Sequence, residues 1–153
     1  MSTPRFVIGS FDDLEDAIRA VEDLRRHNLP REAINVLGAE RTLVKCARLS
    51  ALAGEPCALF DLKPPEGRIV CLGQGLGDAL RAQMNESPTN LEQAFGRWLL
   101  PGHARALGAV IVRDGLLAWI EIRTAEEERA ASLSLLSSSR GTVEVHDLVA
   151  VPA

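Results

Sequence analysis

Residues 108–148 read GAVIVRDGLLAWIEIRTAEEERAASLSLLSSSRGTVEVHDL, and this stretch decides the fold class. Leu116–Ile122 has strand character, with Leu116, Ala118, Ile120 and Ile122 on one face and Leu117, Trp119 and Glu121 on the other. The second face is too apolar to stand in water, so it is expected to pack on something, and another copy of the chain is a natural candidate. Thr124 is placed to cap the next helix, with Glu127 completing a capping box, and Ala130, Leu133 and Leu136 are expected on its apolar side. Ser137–Gly141 breaks that helix, and Val143–Val145 begins a last strand. Upstream, Ala109–Val112 has two readings. It ends a helix closed by Asp114–Gly115, or it is a β-branched strand turning at Arg113-Asp114-Gly115; the helix is preferred.

The first forty residues repeat this strand–helix–strand plan. Arg5–Ser10 is β-prone. Leu14, Ala17, Ile18, Val21 and Leu24 then recur at helical spacing, opposite Glu15, Asp16, Arg19, Glu22, Asp23 and Arg26. Asp12 and Asp13 suit the N-cap and first turn, where carboxylates meet unpaired amides, and Arg25, Arg26 and His27 suit the negative C-terminal end. Asn28 and Pro30 stop the helix, and Ala33–Leu37 forms the second strand.

Between the two units, residues 40–88 form an expected insertion within a single domain spanning 1–153. Arg41–Leu52 carries a helical stripe of Leu43, Ala47 and Ala51, ended by Gly54 and Pro56. Cys57–Leu62 and Arg68–Leu72 read as short strands around the KPPEG turn, and a helix is expected from Gly77–Asp78. Gly73, Gly75 and Gly77 are the nearest approach to a phosphate loop. Asp78 spoils the GxGxxG spacing and no GKS or GKT follows, so an ordinary turn is the simpler reading. Thr89-Asn90-Leu91-Glu92 has capping-box form before LEQAFGRWLL, with Leu91, Phe95, Trp98 and Leu99 at helical spacing, and Pro101 starts a further helix.

The composition narrows function without naming it. With 46% apolar and 25% charged residues in 153, the chain is an ordinary globular one. A net charge of −4 argues against a nucleic-acid surface. The longest apolar runs fall far short of the roughly 20 residues that span a bilayer, and the N-terminus has no secretory pattern. Cys46, Cys57 and Cys71 are an odd set without CxxC spacing, which fits reduced, buried thiols in a cytoplasm. His103, His146 and Asp147 are the residues that invite a catalytic reading. His146 and Asp147 are adjacent in a strand and so belong to opposite faces, the histidines lack metal-ligand spacing, and no nucleophile elbow is present. No catalytic, metal or cofactor residue is assigned.

Residues 6–37, FVIGSFDDLEDAIRAVEDLRRHNLPREAINVL, together with WLLPGHARAL, RDGLLAWIEI, TAEEERAASLSLL and VEVHDL, resemble the general stress protein 17M-like family of small bacterial domains. The resemblance covers the chain outside residues 40–88, where family members carry a Gly/Ala-rich helical hairpin and this chain has a mixed segment with Pro64-Pro65 and three cysteines. It implies an association with stress and no catalytic residues. The expected fold is α+β: a ferredoxin-like sandwich with an antiparallel sheet and helices on one face. The expected function is a non-enzymatic cytoplasmic interaction or regulatory module. It is expected to form a homodimer through the Trp119 face, with further protein partners and without nucleic acid or membrane. An anion- or nucleotide-sensing domain is the alternative, and a small enzyme on the same scaffold is the third reading.

Overall fold

The computed structural model describes residues 5–64, 66–73, 90–96, 99, 101–138 and 143–147. The chain is α+β, and its described residues form a six-stranded sheet: β1 (Arg5–Phe11), β2 (Ile34–Ala39), β3 (Pro56–Asp61), β4 (Arg68–Leu72), β5 (Leu116–Ile122) and β6 (Val143–Asp147). The strand order is β3-β4-β2-β5-β1-β6, and every neighbouring pair is antiparallel. β1 and β2 both pair with β5, so they run parallel to each other with a strand of the second unit between them. β5 and β6 straddle β1 in the same way. The two strand–helix–strand units therefore interleave.

Among the described residues six α-helices accompany the sheet: α1 (Leu14–Arg26), α2 (Glu40–Leu43), α3 (Ala47–Ala53), α4 (Leu91–Phe95), α5 (Pro101–Val112) and α6 (Ala125–Ser138). α1 forms as its sequence dictates. The Glu15 amide donates to Asp13 Oδ1 at the N-cap (2.9 Å), and Ala17, Ile18, Val21 and Leu24 are buried. Its end is a Schellman turn: Leu29 N–H reaches Leu24 O, Asn28 N–H reaches Arg25 O, and Asn28 takes a left-handed φ of 64°. The 109–112 segment is helical, as preferred, and α5 closes in the same way, with Asp114 rather than Gly115 left-handed.

Three expectations are corrected locally. The single helix over 41–52 is two helices, α2 and α3, because Cys46 leaves the helical region at φ −127°, ψ 86° while burying itself between the buried Leu43 and Leu49. The N-cap before Leu91 is Asn90, whose Oδ1 accepts the Gln93 amide, not Thr89. The helix that follows ends at Phe95; Trp98, Gly75, Gly77 and the helix expected from Gly77 lie outside the described residues.

Helices lie on both faces of the sheet, not one. The first face carries α1, α3 and α6 over Val7, Phe11, Ile34, Val36, Val70, Leu72, Leu116, Ala118, Ile120 and Ile122. The second carries α4 and α5 over Phe6, Ile8, Leu37, Ile69, Cys71, Leu117 and Trp119. The physical reason is visible in the strands: β5 is apolar at almost every position, so both of its faces require cover. Trp119 is fully buried. The expectation that its face is open for a second copy is overturned, because the chain covers that face with its own α4 and α5. Within the insertion, residues 56–72 extend the sheet, because β4 and β3 continue it beyond β2.

Candidate functional site

The sequence candidates divide by what surrounds them. Asp13 is occupied as the α1 cap, and Asp12 Oδ1 accepts from Arg113 Nε at 2.8 Å, tying the start of α1 to the end of α5. Both carboxylates serve the fold. His103 lies half-buried in the first turn of α5. His146 and Asp147 occupy successive ladder positions on β6, opposite Phe6 and Arg5.

His27 gathers the most polar company. Its Nδ1 lies 2.8 Å from Asp23 O, 3.7 Å from Asp23 Oδ2 and 3.5 Å from Ser134 Oγ, which belongs to α6. A serine, a histidine and an aspartate thus meet. A hydrolytic relay needs the hydroxyl on one ring nitrogen and the carboxylate on the other. Here both face Nδ1, and Ser134 is buried, so the group fastens α6 to the C-terminal end of α1. Among the described residues no three or more His, Cys, Asp or Glu are grouped to hold a metal ion.

Gly73 is the one member of the glycine-rich run within the described residues. It closes β4 with φ 102°, a conformation that suits glycine. A side chain there would meet Asn35 Oδ1 and Ile34 O at 3.0 Å. Close packing against the sheet accounts for it. Charged pairs are concentrated on the surface. Arg41 Nε donates to Asp114 Oδ1 and its Nη1 to Glu66 O, both at 2.7 Å, joining α2, the β3–β4 turn and the end of α5. Arg68, beside Asp61 first and Glu40 second, has its pKa raised above the ordinary guanidinium value by their carboxylates.

No family model, curated protein or solved structure matches this chain. The site has to be read from the molecule itself.

Two features escaped the sequence reading. The first is α6. Ala131, Ser134 and Leu135 face inward, while Leu133 and Leu136 stand 61% and 57% exposed, the reverse of the expected apolar side. The cause lies in β1: Gly9 leaves a hollow that Leu135 fills, so closely that a Cβ at Gly9 would come 3.2 Å from Leu135 Cδ1. Ala131 and Ser134 let the helix settle against α1 and the sheet, and Arg5 secures its first turns through a 2.7 Å pair with Glu128. The two remaining leucines are left in water. Nothing in the helix alone signals this; the hollow at Gly9 is the signal, and it becomes one only once β1 is placed beneath α6.

The second is the cysteines. Cys46 belongs to the first face, whereas Cys57 on β3 and Cys71 on β4 sit directly opposite each other. An irregularity at Leu59 sets that pairing.

Proposed function

We propose that this chain is a non-enzymatic interaction module that self-associates through the outer face of α6. The observation that carries the reading is the exposure of Leu133 and Leu136 on a helix whose inner positions are already filled by Ala131, Ser134 and Leu135. Large apolar side chains side by side on a water-facing helix cost hydration free energy unless a partner covers them. Two leucines separated by one helical turn form a patch that is self-complementary about a two-fold axis, so a second copy of the chain is the partner it fits best. Stable dimers bury roughly 1,200–2,000 Å² in all, and two leucines per copy supply only part of that. The association is therefore weak and follows concentration.

The scaffold is read as a ferredoxin-like sandwich. Support comes from the order β6-β1-β5-β2, with α1 and α6 on one face, extended at the β2 edge by β4 and β3 and covered on the far face by α4 and α5. A cytoplasmic setting and an association with stress belong to the same proposal; they rest on the cysteine usage and on the resemblance of residues 6–37 and 98–148 to the stress-protein family.

Sedimentation velocity over a concentration series tests the reading. The wild-type chain is expected to move from monomer to dimer as concentration rises, and Leu133→Lys/Leu136→Lys to remain monomeric with an unchanged far-ultraviolet circular dichroism spectrum. A wild-type chain that stays monomeric throughout, or a double variant that dimerises equally, contradicts it.

A further inference from the structure

We propose that Cys57 and Cys71 form a reversible disulfide, making the β3–β4 edge a site of oxidative modification. β3 and β4 pair antiparallel, with Asp61 opposite Arg68 and Phe60 opposite Ile69. Continued without interruption, that register would set Cys57 against Leu72 and Cys71 against Ala58. The extra residue Leu59 shifts the ladder by one, and the observed pairs become Ala58 with Val70 and Cys57 with Cys71. The bulge is what brings the thiols face to face.

Directly opposed residues on antiparallel strands have Cα atoms about 4.5–5.5 Å apart, within the roughly 4.4–6.8 Å that a disulfide spans. Opposed residues also share one face of the sheet, so the two sulfurs lie on the same side. That is the second face, where Cys71 is buried against the core of α4 and α5, and where Leu59 also packs. Access differs between the two. Cys71 is fully buried, whereas Cys57 is half-buried on β3, the last strand of the described sheet. Cys57 is thus the thiol that a small oxidant meets first, and Cys71 is positioned to resolve the product.

With a hydroperoxide as oxidant, the Cys57 thiolate attacks a peroxide oxygen. An S–O bond forms as the O–O bond breaks, and the departing hydroxide takes up the thiol proton as water. The Cys71 thiolate then attacks Cys57 Sγ. The S–S bond forms as the S–O bond breaks, and a second hydroxide leaves as water with the second proton. Two thiols lose two electrons in all, and hydrogen peroxide becomes two waters. A dithiol reductant reverses the step by exchange. Cys46 lies in the core of the opposite face and serves as an internal control.

The test is oxidation of the purified full chain with a small excess of hydrogen peroxide, followed by alkylation under denaturing conditions, intact mass and non-reducing peptide mapping. Alkylatable thiols are expected to fall from three to one. The mass before alkylation falls by two hydrogens, a peptide pair linked through Cys57 and Cys71 appears, and dithiothreitol restores the starting state. Cys46→Ser keeps the link, and Cys57→Ser and Cys71→Ala each abolish it. Retention of all three thiols, over-oxidation of Cys57 without a link, a link between two chains, or a link through Cys46 overturns the proposal.

Discussion

The crossover helices α1 and α6 lie against each other on the same face of the sheet, and each completes one strand–helix–strand unit. Their first turns are alike: Asp13 Oδ1 accepts the Glu15 amide, and Thr124 Oγ1 accepts the Glu127 amide while Glu127 Oε1 accepts Arg123 N–H. Their faces are not alike. α1 turns Ile18, Val21 and Leu24 inward, buries Asp16 against the exposed Arg19 that pairs with it, and shows charge on its outer side, where Arg48 pairs with Glu22. α6 turns one leucine and two small residues inward and shows two leucines. The difference teaches that a helix on a sheet takes the face that fits the floor beneath it. α1 rests on a broad apolar floor that large side chains fill, whereas α6 crosses the hollow at Gly9 and is brought close by alanine and serine.

The largest effect that separates the two helices is in their leucines. Leu24→Ala removes a fully buried side chain and should cost about 2–5 kcal/mol in urea denaturation, whereas Leu133→Ala, on a side chain mostly in water, should cost about 0.5 kcal/mol or less. Equal costs at the two positions would mean that α6 lies on its other face. A smaller and shared effect is expected at the caps. Asp13→Ala and Thr124→Ala should each lower stability by about 1 kcal/mol in the same assay, since each removes the acceptor of one first-turn amide. A markedly larger loss at one of them would show that the likeness of the two helix starts is superficial. The smallest effect is at the end of α1, where Asn28 holds a left-handed φ of 64°. Asn28→Gly should raise the thermal midpoint slightly, by no more than about 1 kcal/mol of stability, and a loss would show that the Asn28 side chain contributes more than its backbone conformation.

Much of this architecture was legible from local pattern. The α1 stripe, its Asp13 cap, the two faces of β5 and the helical reading of 109–112 all depend on spacing within a few residues, and spacing of that kind survives folding. What was not legible depends on distant segments. That α4 and α5 close over Trp119, whose ring lies 6.0 Å from Phe6 and 5.9 Å from Phe95 between centroids, cannot be read from β5 alone. An apolar strand face says that cover is needed and not which segment supplies it. The orientation of α6 is hidden for the same reason, because its leucine spacing favours the outer side while the deciding hollow sits at Gly9. The Cys57–Cys71 pairing needed the bulge at Leu59, and an unpaired residue in a short edge strand has no periodicity to announce it. At the candidate site, the helix-end places of Asp13 and His27 follow from local spacing, while the exposed leucine pair became visible only when the sheet was in place.

The most direct test of the central claim is the thermal unfolding midpoint of the wild-type chain across a roughly hundredfold range of protein concentration, beside that of Leu133→Lys/Leu136→Lys. Association through α6 predicts a wild-type midpoint that climbs with concentration and a double variant whose midpoint stays flat, meeting the wild type at the dilute end. A wild-type midpoint independent of concentration, or a double variant that climbs with it, would contradict the assignment of the outer face of α6 as the contact surface.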